Sequence, residues 1–227
     1  MAELIVTIDG PAASGKSTAA RLLAGKLGAS FLDTGAMYRA VTFAAMQAGV
    51  DIKDEGQLLE VMDKSEFQFT AHKGLMLVSV DGNDVTERLR NQQVTANARY
   101  IASAPKVRER LVEMQRKFAA GQKKIVTEGR DQGTVAFTEA DVKFFLTAEP
   151  GERARRRQAE LGTKSGGNSL EEIRDAIERR DKSDRDRAVG PLKPAVDAIV
   201  IDTTDLNIEQ VVDKLLGFVK EKCLKNG

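Results

Sequence analysis

An α/β fold, with a central parallel sheet flanked by helices and a small antiparallel β insertion, is what this 227-residue chain predicts. Three observations carry that prediction. Short apolar runs alternate with helix-like stretches, which implies a parallel sheet covered on both faces. One segment near residues 64–88 switches to a two-residue alternation, the mark of half-buried antiparallel strands. A glycine-rich loop joins the first apolar run to the first helical stretch, where a parallel sheet opens to its ligands.

The first run, Leu4-Ile5-Val6-Thr7-Ile8, reads as a buried strand, and the Ala-, Leu- and Lys-rich residues 17–27 read as a helix. Between them Gly10-Pro11-Ala12-Ala13-Ser14-Gly15-Lys16-Ser17 fits G-x-x-x-x-G-K-[ST]. Strand, glycine-rich turn and helix start, in that order, make a nest of backbone N–H groups at the positive end of a helix. The reading is a nucleoside triphosphate site: Lys16 reaches β- and γ-phosphate oxygens and the Ser17 hydroxyl ligates Mg²⁺. Residues 30–33 form the next strand and residues 36–48 the next helix, around Asp33-Thr34-Gly35-Ala36-Met37-Tyr38-Arg39. A strand-end turn of this kind is either a ligand site, with Arg39 one helical turn on, or a helix start capped by Thr34.

The alternating segment comprises residues 66–70 and 75–80, separated by Lys73-Gly74, then the tight-turn signal Asp81-Gly82 before Asn83-Asp84-Val85. Helical stretches at 92–103 and 105–121 return the chain to strands at 124–128 and 142–147. A helix from Pro150, a strand at 198–202 and a helix at 208–222 complete the sequence. After the strand residues Lys124–Val126 comes Thr127-Glu128-Gly129-Arg130-Asp131-Gln132-Gly133. Asp131 accepts but never donates, which suits an exocyclic amine such as N4 of cytosine; with Gly129 and Gly133 beside it, a plain turn carboxylate is the other reading. Glu128 divides between the water shell of Mg²⁺ and a buried strand-end cap.

Arginines crowd two regions: Arg153, Arg155, Arg156 and Arg157, then residues 174–187, where Lys182 is the only lysine. Pairs such as Glu152/Arg156 and Asp175/Arg179 fit a solvated helix face. The arginine bias instead fits bidentate phosphate binding. The Gly162-Thr163-Lys164-Ser165-Gly166-Gly167-Asn168-Ser169 stretch between them reads as the hinge of a closing element, as phosphoryl transfer between two nucleotides requires.

Composition bounds the rest. The chain is 41% hydrophobic and 30% charged with a formal net charge of +1, so its overall balance calls for neither nucleic acid nor an anionic membrane. No apolar run approaches the roughly 20 residues of a membrane span, and the first strand begins without a signal-peptide pattern. The single cysteine, Cys223, excludes an internal disulfide and fits a reducing, cytoplasmic setting.

On four stretches the chain resembles the bacterial cytidylate kinases, a branch of the nucleoside monophosphate kinases. These are Ile8-Asp9-Gly10-Pro11 with the phosphate loop, Asp33 to Arg39, Glu128-Gly129-Arg130-Asp131-Gln132-Gly133-Thr134, and Arg180…Asp184…Arg187-Ala188-Val189-Gly190-Pro191-Leu192. The resemblance implies a P-loop kinase fold in a single domain. Its core would be residues 1–63 and 104–227, its inserted monophosphate-binding β subdomain about 64–103, and its short lid about 158–187. It implies that Gly10 through Thr18 bind ATP with Mg²⁺, and that Arg39, Arg130 and Arg187 hold the monophosphate of CMP or dCMP. Arg108 and Asp131 would read the cytosine, Arg180 and Asp184 would contact the sugar, and Asp33 and Thr34 belong to the acceptor site. Lys16, Arg130, Arg180 and Arg187 become the catalytic set of a monomeric enzyme. The chain departs from the family's V-S-x-[IV]-A stretch, because Arg99 stands at the serine position.

The implied reaction is ATP + CMP → ADP + CDP. The acceptor phosphate has a second pKa near roughly 6, so it is already an anionic nucleophile at pH 7 and needs no general base. The only histidine, His72, falls in the insertion and is assigned no catalytic part. Two rivals are a kinase for another small acceptor, such as UMP or shikimate, and a nucleotide-hydrolysing switch. For the switch, Ile199-Val200-Ile201-Asp202 would supply a Mg-associated carboxylate, but the chain has no N-K-x-D guanine motif.

Overall fold

The computed structural model describes residues 2–72, 74–162 and 169–225. Its main sheet has five parallel strands in the order β2-β6-β1-β7-β8. These are β1 (Leu4–Asp9), β2 (Ser30–Asp33), β6 (Lys124–Gly129), β7 (Val142–Thr147) and β8 (Ile199–Asp202). β1 pairs with β6 from Leu4↔Lys124 to Asp9↔Gly129 and with β7 from Val6↔Val142 to Asp9↔Phe145. β2 extends the sheet beyond β6, ending at Asp33↔Glu128. The C-terminal ends of β1, β2 and β6 therefore meet along one rim, and three of the four ligand motifs sit there, the fourth lying on α7 and the segment that follows it.

Alternation along β1 divides the core. Leu4, Val6 and Ile8 face a cluster with α1 (Lys16–Leu27) and α8 (Ile208–Lys225), through Ala20, Leu23, Val212, Leu215 and Val219. The opposite face packs on α2 (Thr34–Gln47) and α5 (Pro105–Ala120), through Met37, Val41, Val107 and Leu111. That second cluster continues without a break into the antiparallel sheet β3 (Phe67–His72), β4 (Leu75–Val80) and β5 (Asn83–Asp84). Met76, Val78 and Val80 point into it at the two-residue spacing seen in the sequence. The turn after β4 has positive φ at both Asp81 (51°) and Gly82 (76°), as a two-residue type I′ hairpin requires.

One helix was not expected. α3 (Glu55–Lys64) is capped by Asp54, whose Oδ1 accepts from the Gln57 N–H at 3.1 Å, and it buries Leu58, Val61 and Met62. Three buried positions in ten residues are a thin apolar stripe, and the cap residue was the stronger signal. α4 (Gln92–Ser103) packs on α2 and leads into α5. α6 (Pro150–Leu161) and α7 (Leu170–Arg185) run as a pair against the glycine-rich loop, meeting Ala12 through Ala154, Ile173 and Ile177. Most of the stretch expected to act as a hinge, residues 163–168, lies outside the described residues.

Candidate active site

The loop between β1 and α1 is set by backbone geometry. Gly10 has φ 155°, and a Cβ there would run into the backbone carbonyl oxygen of Leu146 at the end of β7. Ala13 (φ 58°) and Gly15 (φ 84°) are left-handed, and no side chain caps α1 at Gly15. The N–H groups of a helix's first turn have no partner within the helix, so this uncapped end is a built receptor for an anion. Lys16 begins α1, is 6% exposed, and donates from Nζ to the Pro11 carbonyl at 3.0 Å. Burial, reinforced by the positive charge of Arg130, lowers its pKa to about 7. Ser17 and Thr18 are exposed at the rim, with Ser17 beside the Glu128 carboxyl. Glu128 is buried at the end of β6, and that burial raises its pKa against the pull of Lys16.

Across from Lys16 stands a set of guanidinium groups held by carboxylates. Asp33 caps α2, its Oδ1 accepting from the Ala36 N–H at 2.8 Å while Oδ2 takes Arg39 at 3.3 Å. Thr34 is therefore not the cap expected of it; its hydroxyl donates to the Glu128 carbonyl at 2.7 Å and ties the ends of β2 and β6 together. Arg130 donates from Nε to Asp184 at 2.7 Å, and Arg187 binds the other oxygen of the same carboxylate. Burial alone would raise the Asp184 pKa, but Arg130 and Arg187 override it and hold the group below its usual range. Arg180 is an exposed residue, yet its guanidinium is desolvated by the groups around it and repelled by Arg130, Arg157 and Arg39, which bring its pKa down to about 10. The Nε atoms of Arg39, Arg108 and Arg187 are buried with no hydrogen-bond partner. The unspent buried donors of Arg39 and Arg187 suit a second anion at this mouth, while that of Arg108 lies beside Asp131.

Arg108 and Asp131 form a buried ion pair, 3% and 5% exposed. Arg108 also donates to the Ala102 carbonyl at 3.2 Å and lies 5.6 Å from the centre of the Tyr38 ring. Gly190 closes over the pair: it has φ 62°, and a Cβ there would collide with both the Asp131 carboxylate and the Arg108 guanidinium. Beside them lies a cleft of about 310 Å³ lined by Ser103, Pro105, Arg108, Arg187 and Val189.

Arg39, Arg108, Arg130, Asp131, Arg180, Asp184 and Arg187 thus share one mouth with Lys16. Arg99 stands apart on exposed α4 surface, donating to the Tyr100 hydroxyl at 2.9 Å and stacked 4.7 Å from that ring. Asp202, the carboxylate the switch reading would need, folds back onto Thr204 at 2.8 and 2.6 Å on edge strand β8. On α6 the pair Glu152/Arg156 forms at 3.0 Å; on α7 the pair that forms is Arg174–Glu178, at 2.9 Å.

Sequence reading missed three parts of this site. Asp9 is buried at the end of β1 and accepts from the Gln132 and Gly133 N–H groups at 2.9 and 2.8 Å, which fixes the loop carrying Arg130 and Asp131. Burial raises its pKa to about 7 despite those two bonds. Gly190 sits in the stretch Arg187-Ala188-Val189-Gly190-Pro191-Leu192, where nothing local marks its approach to the Arg108–Asp131 pair. The pair Arg153–Asp181, buried beneath the glycine-rich loop, stood out only as members of charge-rich stretches.

The sequence profile described as cytidylate kinase matches residues 6–221. The cytidylate kinase of Rhodopirellula baltica is 46% identical over 218 residues, covering 96% of this chain and 93% of its own length. That of Stutzerimonas stutzeri is 45% identical over 97% of this chain and 96% of its own, and that of Vibrio cholerae is 43% identical over 97% of each.

Proposed function

The chain belongs to the cytidylate kinase family, and from that premise we propose that it transfers the γ-phosphoryl group of ATP in line to CMP or dCMP, giving ADP and CDP or dCDP. The observation that carries the reading is the arginine cluster facing Lys16, in which the buried Nε–H groups of Arg39 and Arg187 are left without partners. A hydrolase has to place only a water opposite its triphosphate, whereas a kinase has to hold a second phosphate there.

In this reading residues 10–18 cradle the phosphates of ATP, with Lys16 moving from the Pro11 carbonyl to the β- and γ-oxygens. Arg39, Arg130 and Arg187 hold the acceptor monophosphate, and Arg180 and Asp184 hold its sugar and the approaching charge. Arg108 and Asp131 read the base, Asp131 accepting from the N4 amine that cytosine has and uracil lacks. Asp33 and Thr34 hold Arg39 and the β6 end in place. The Ser17 hydroxyl and the Glu128 carboxylate beside it are hard oxygen groups that fit Mg²⁺ carried in with ATP, Ser17 as ligand and Glu128 through water. Bound there, Mg²⁺ neutralises charge on the β- and γ-phosphates. The acceptor oxygen is anionic at pH 7, so the protein's work is positioning and electrostatics rather than proton removal.

Residues 64–103 serve as the acceptor-binding subdomain and residues 158–187 as the lid. One chain supplies every group invoked, which supports a monomer. Among the described residues no helix is long and apolar enough to cross a membrane, and a soluble, cytoplasmic setting with no nucleic-acid partner follows from the small substrates. The test is coupled ADP production with each common monophosphate in turn. Turnover with CMP and dCMP, and negligible ADP release with ATP alone, is the expected result; equal rates with and without acceptor overturn it.

A further inference from the structure

The glycine-rich loop is gripped from below by a buried ion pair that belongs to neither substrate site. Asp181, on α7, is 1% exposed and accepts from the Ala12 N–H at 3.0 Å. Arg153, on α6, is 6% exposed, binds the other oxygen of Asp181, and donates to the Ala12 carbonyl at 3.1 Å and the Ala148 carbonyl at 3.0 Å. Both backbone groups of Ala12 are thereby fixed. The peptide planes on either side of Ala12 are set, and the chain enters Ala13 in the left-handed region, which a residue with a Cβ keeps only where its surroundings impose it. The Ala12 N–H is spent on Asp181 and is not part of the anion nest; its bond aims the N–H groups that follow.

The placement of Asp181 on α7 adds a second consequence. Its sequence neighbours Arg180 and Asp184 face the acceptor mouth, where Asp184 holds Arg130 and Arg187. A single helix therefore touches the donor loop through Asp181 and organises the acceptor arginines through Asp184. We propose that Asp181 and Arg153 are positioning residues for the donor nucleotide: they preset the loop before ATP arrives and tie it to the helix that presents the acceptor-binding groups. The proposal rests on the reading that residues 10–18 take the phosphates of ATP.

Asp181→Asn keeps an oxygen for the Ala12 N–H but turns an amide toward Arg153, donor against donor. ATP binding alone and CMP binding alone are measured by calorimetry on the full chain, with KM for ATP at saturating CMP and thermal midpoints alongside. The expected result is an ATP Kd and KM raised tenfold or more with the CMP Kd held within twofold. The double variant Asp181→Asn/Arg153→Gln leaves no buried charge, and it should show an ATP defect no larger than that of the single variant, because a unit can be broken only once. An unchanged ATP Kd in either folded variant overturns the proposal. So does a common loss in ATP and CMP affinity, which would mark a general loosening of α7, or a failure of both variants to fold. Failure of the unaltered chain to turn over CMP while it still binds ATP counts against the proposed acceptor and leaves this inference standing.

Discussion

Lys16 gives the most quantitative consequence of the site. In the free protein its ammonium is buried beside Arg130 and Arg180, with Glu128 as the opposing charge, and its pKa falls from 10.5 to about 7. At pH 8 most of the molecules then carry a neutral Lys16. A phosphate charge arriving about 4 Å away is worth about 4 kcal/mol at an effective dielectric of about 20, equivalent to about three pKa units. That is close to the gap between about 7 and the ordinary value, so the ATP complex holds Lys16 protonated and binding takes up the missing proton. The sign follows from linkage: between about pH 7 and 10 the complex binds more protons than the free protein, so ATP affinity falls as pH rises, by about tenfold per unit at the steepest, and is flat with respect to this group below about pH 7. Calorimetric titration of ATP at pH 8 in two buffers of different ionisation enthalpy measures the uptake, expected at about half a proton or more per ATP. Lys16→Met should abolish the uptake and lower kcat by about two to three orders of magnitude with the fold intact. An uptake below about 0.2 proton in the unaltered chain, or an equal uptake in Lys16→Met, would refute the assignment of the perturbed group.

Three further outcomes are expected. Arg187→Ala removes one of the two cations on Asp184 and a buried unspent donor, so KM for CMP should rise tenfold or more while the ATP Kd stays within twofold; a loss confined to ATP would move this arginine to the donor side. Asp131→Asn exchanges an acceptor-only group for one that can also donate to O4 of uracil. The CMP-over-UMP ratio of kcat/KM should fall by about 1–3 kcal/mol, while Arg99→Ser, on the exposed Tyr100 stack, should leave that ratio within about threefold. Gly190→Ala strains a left-handed position and drives a methyl into the Arg108–Asp131 pair, so CMP kcat/KM and the thermal midpoint should both drop with ATP binding unchanged; normal CMP kinetics would detach this pair from base recognition.

The elements legible in the sequence were those whose signal is local. The glycine-rich loop needs positive φ values that its glycines Gly10 and Gly15 supply locally, and the Asp81-Gly82 turn announces itself in the same way. β4 and β7 begin and end where hydropathy says, because an apolar run or a two-residue alternation ends when its buried face ends. α3 escaped because its apolar face is three residues wide and its stability comes from packing on α2 and α5. The Thr34 cap failed for a related reason. Asp33 and Thr34 are both good capping residues, and the choice between them was decided by the Glu128 carbonyl, which β6 places beside Thr34 from about ninety residues away in sequence.

The site divides along the same line. Lys16, Arg39 and Arg130 were legible as candidates because phosphate binding favours arginine and lysine at strand and helix ends, whereas Arg108, within α5, came only from the family resemblance. The residues that hold those groups in place were not. Asp9 looks like one more strand-end carboxylate until β6 and the turn after it present two N–H groups to it. Arg153 and Asp181 each look like a member of a solvated charge run, with an apparent partner four residues away, Glu149 for Arg153 and Arg185 for Asp181. Only the packing of α6 on α7 buries them together and points them at Ala12. A buried ion pair is weak evidence for stability, since apolar residues of similar size often do as well. Its value here has to lie in geometry, in fixing one backbone residue of the donor loop from two sides. A charge run read from sequence therefore conceals two populations: exposed pairs such as Arg174–Glu178, worth little, and buried ones whose partner is the backbone of a distant loop.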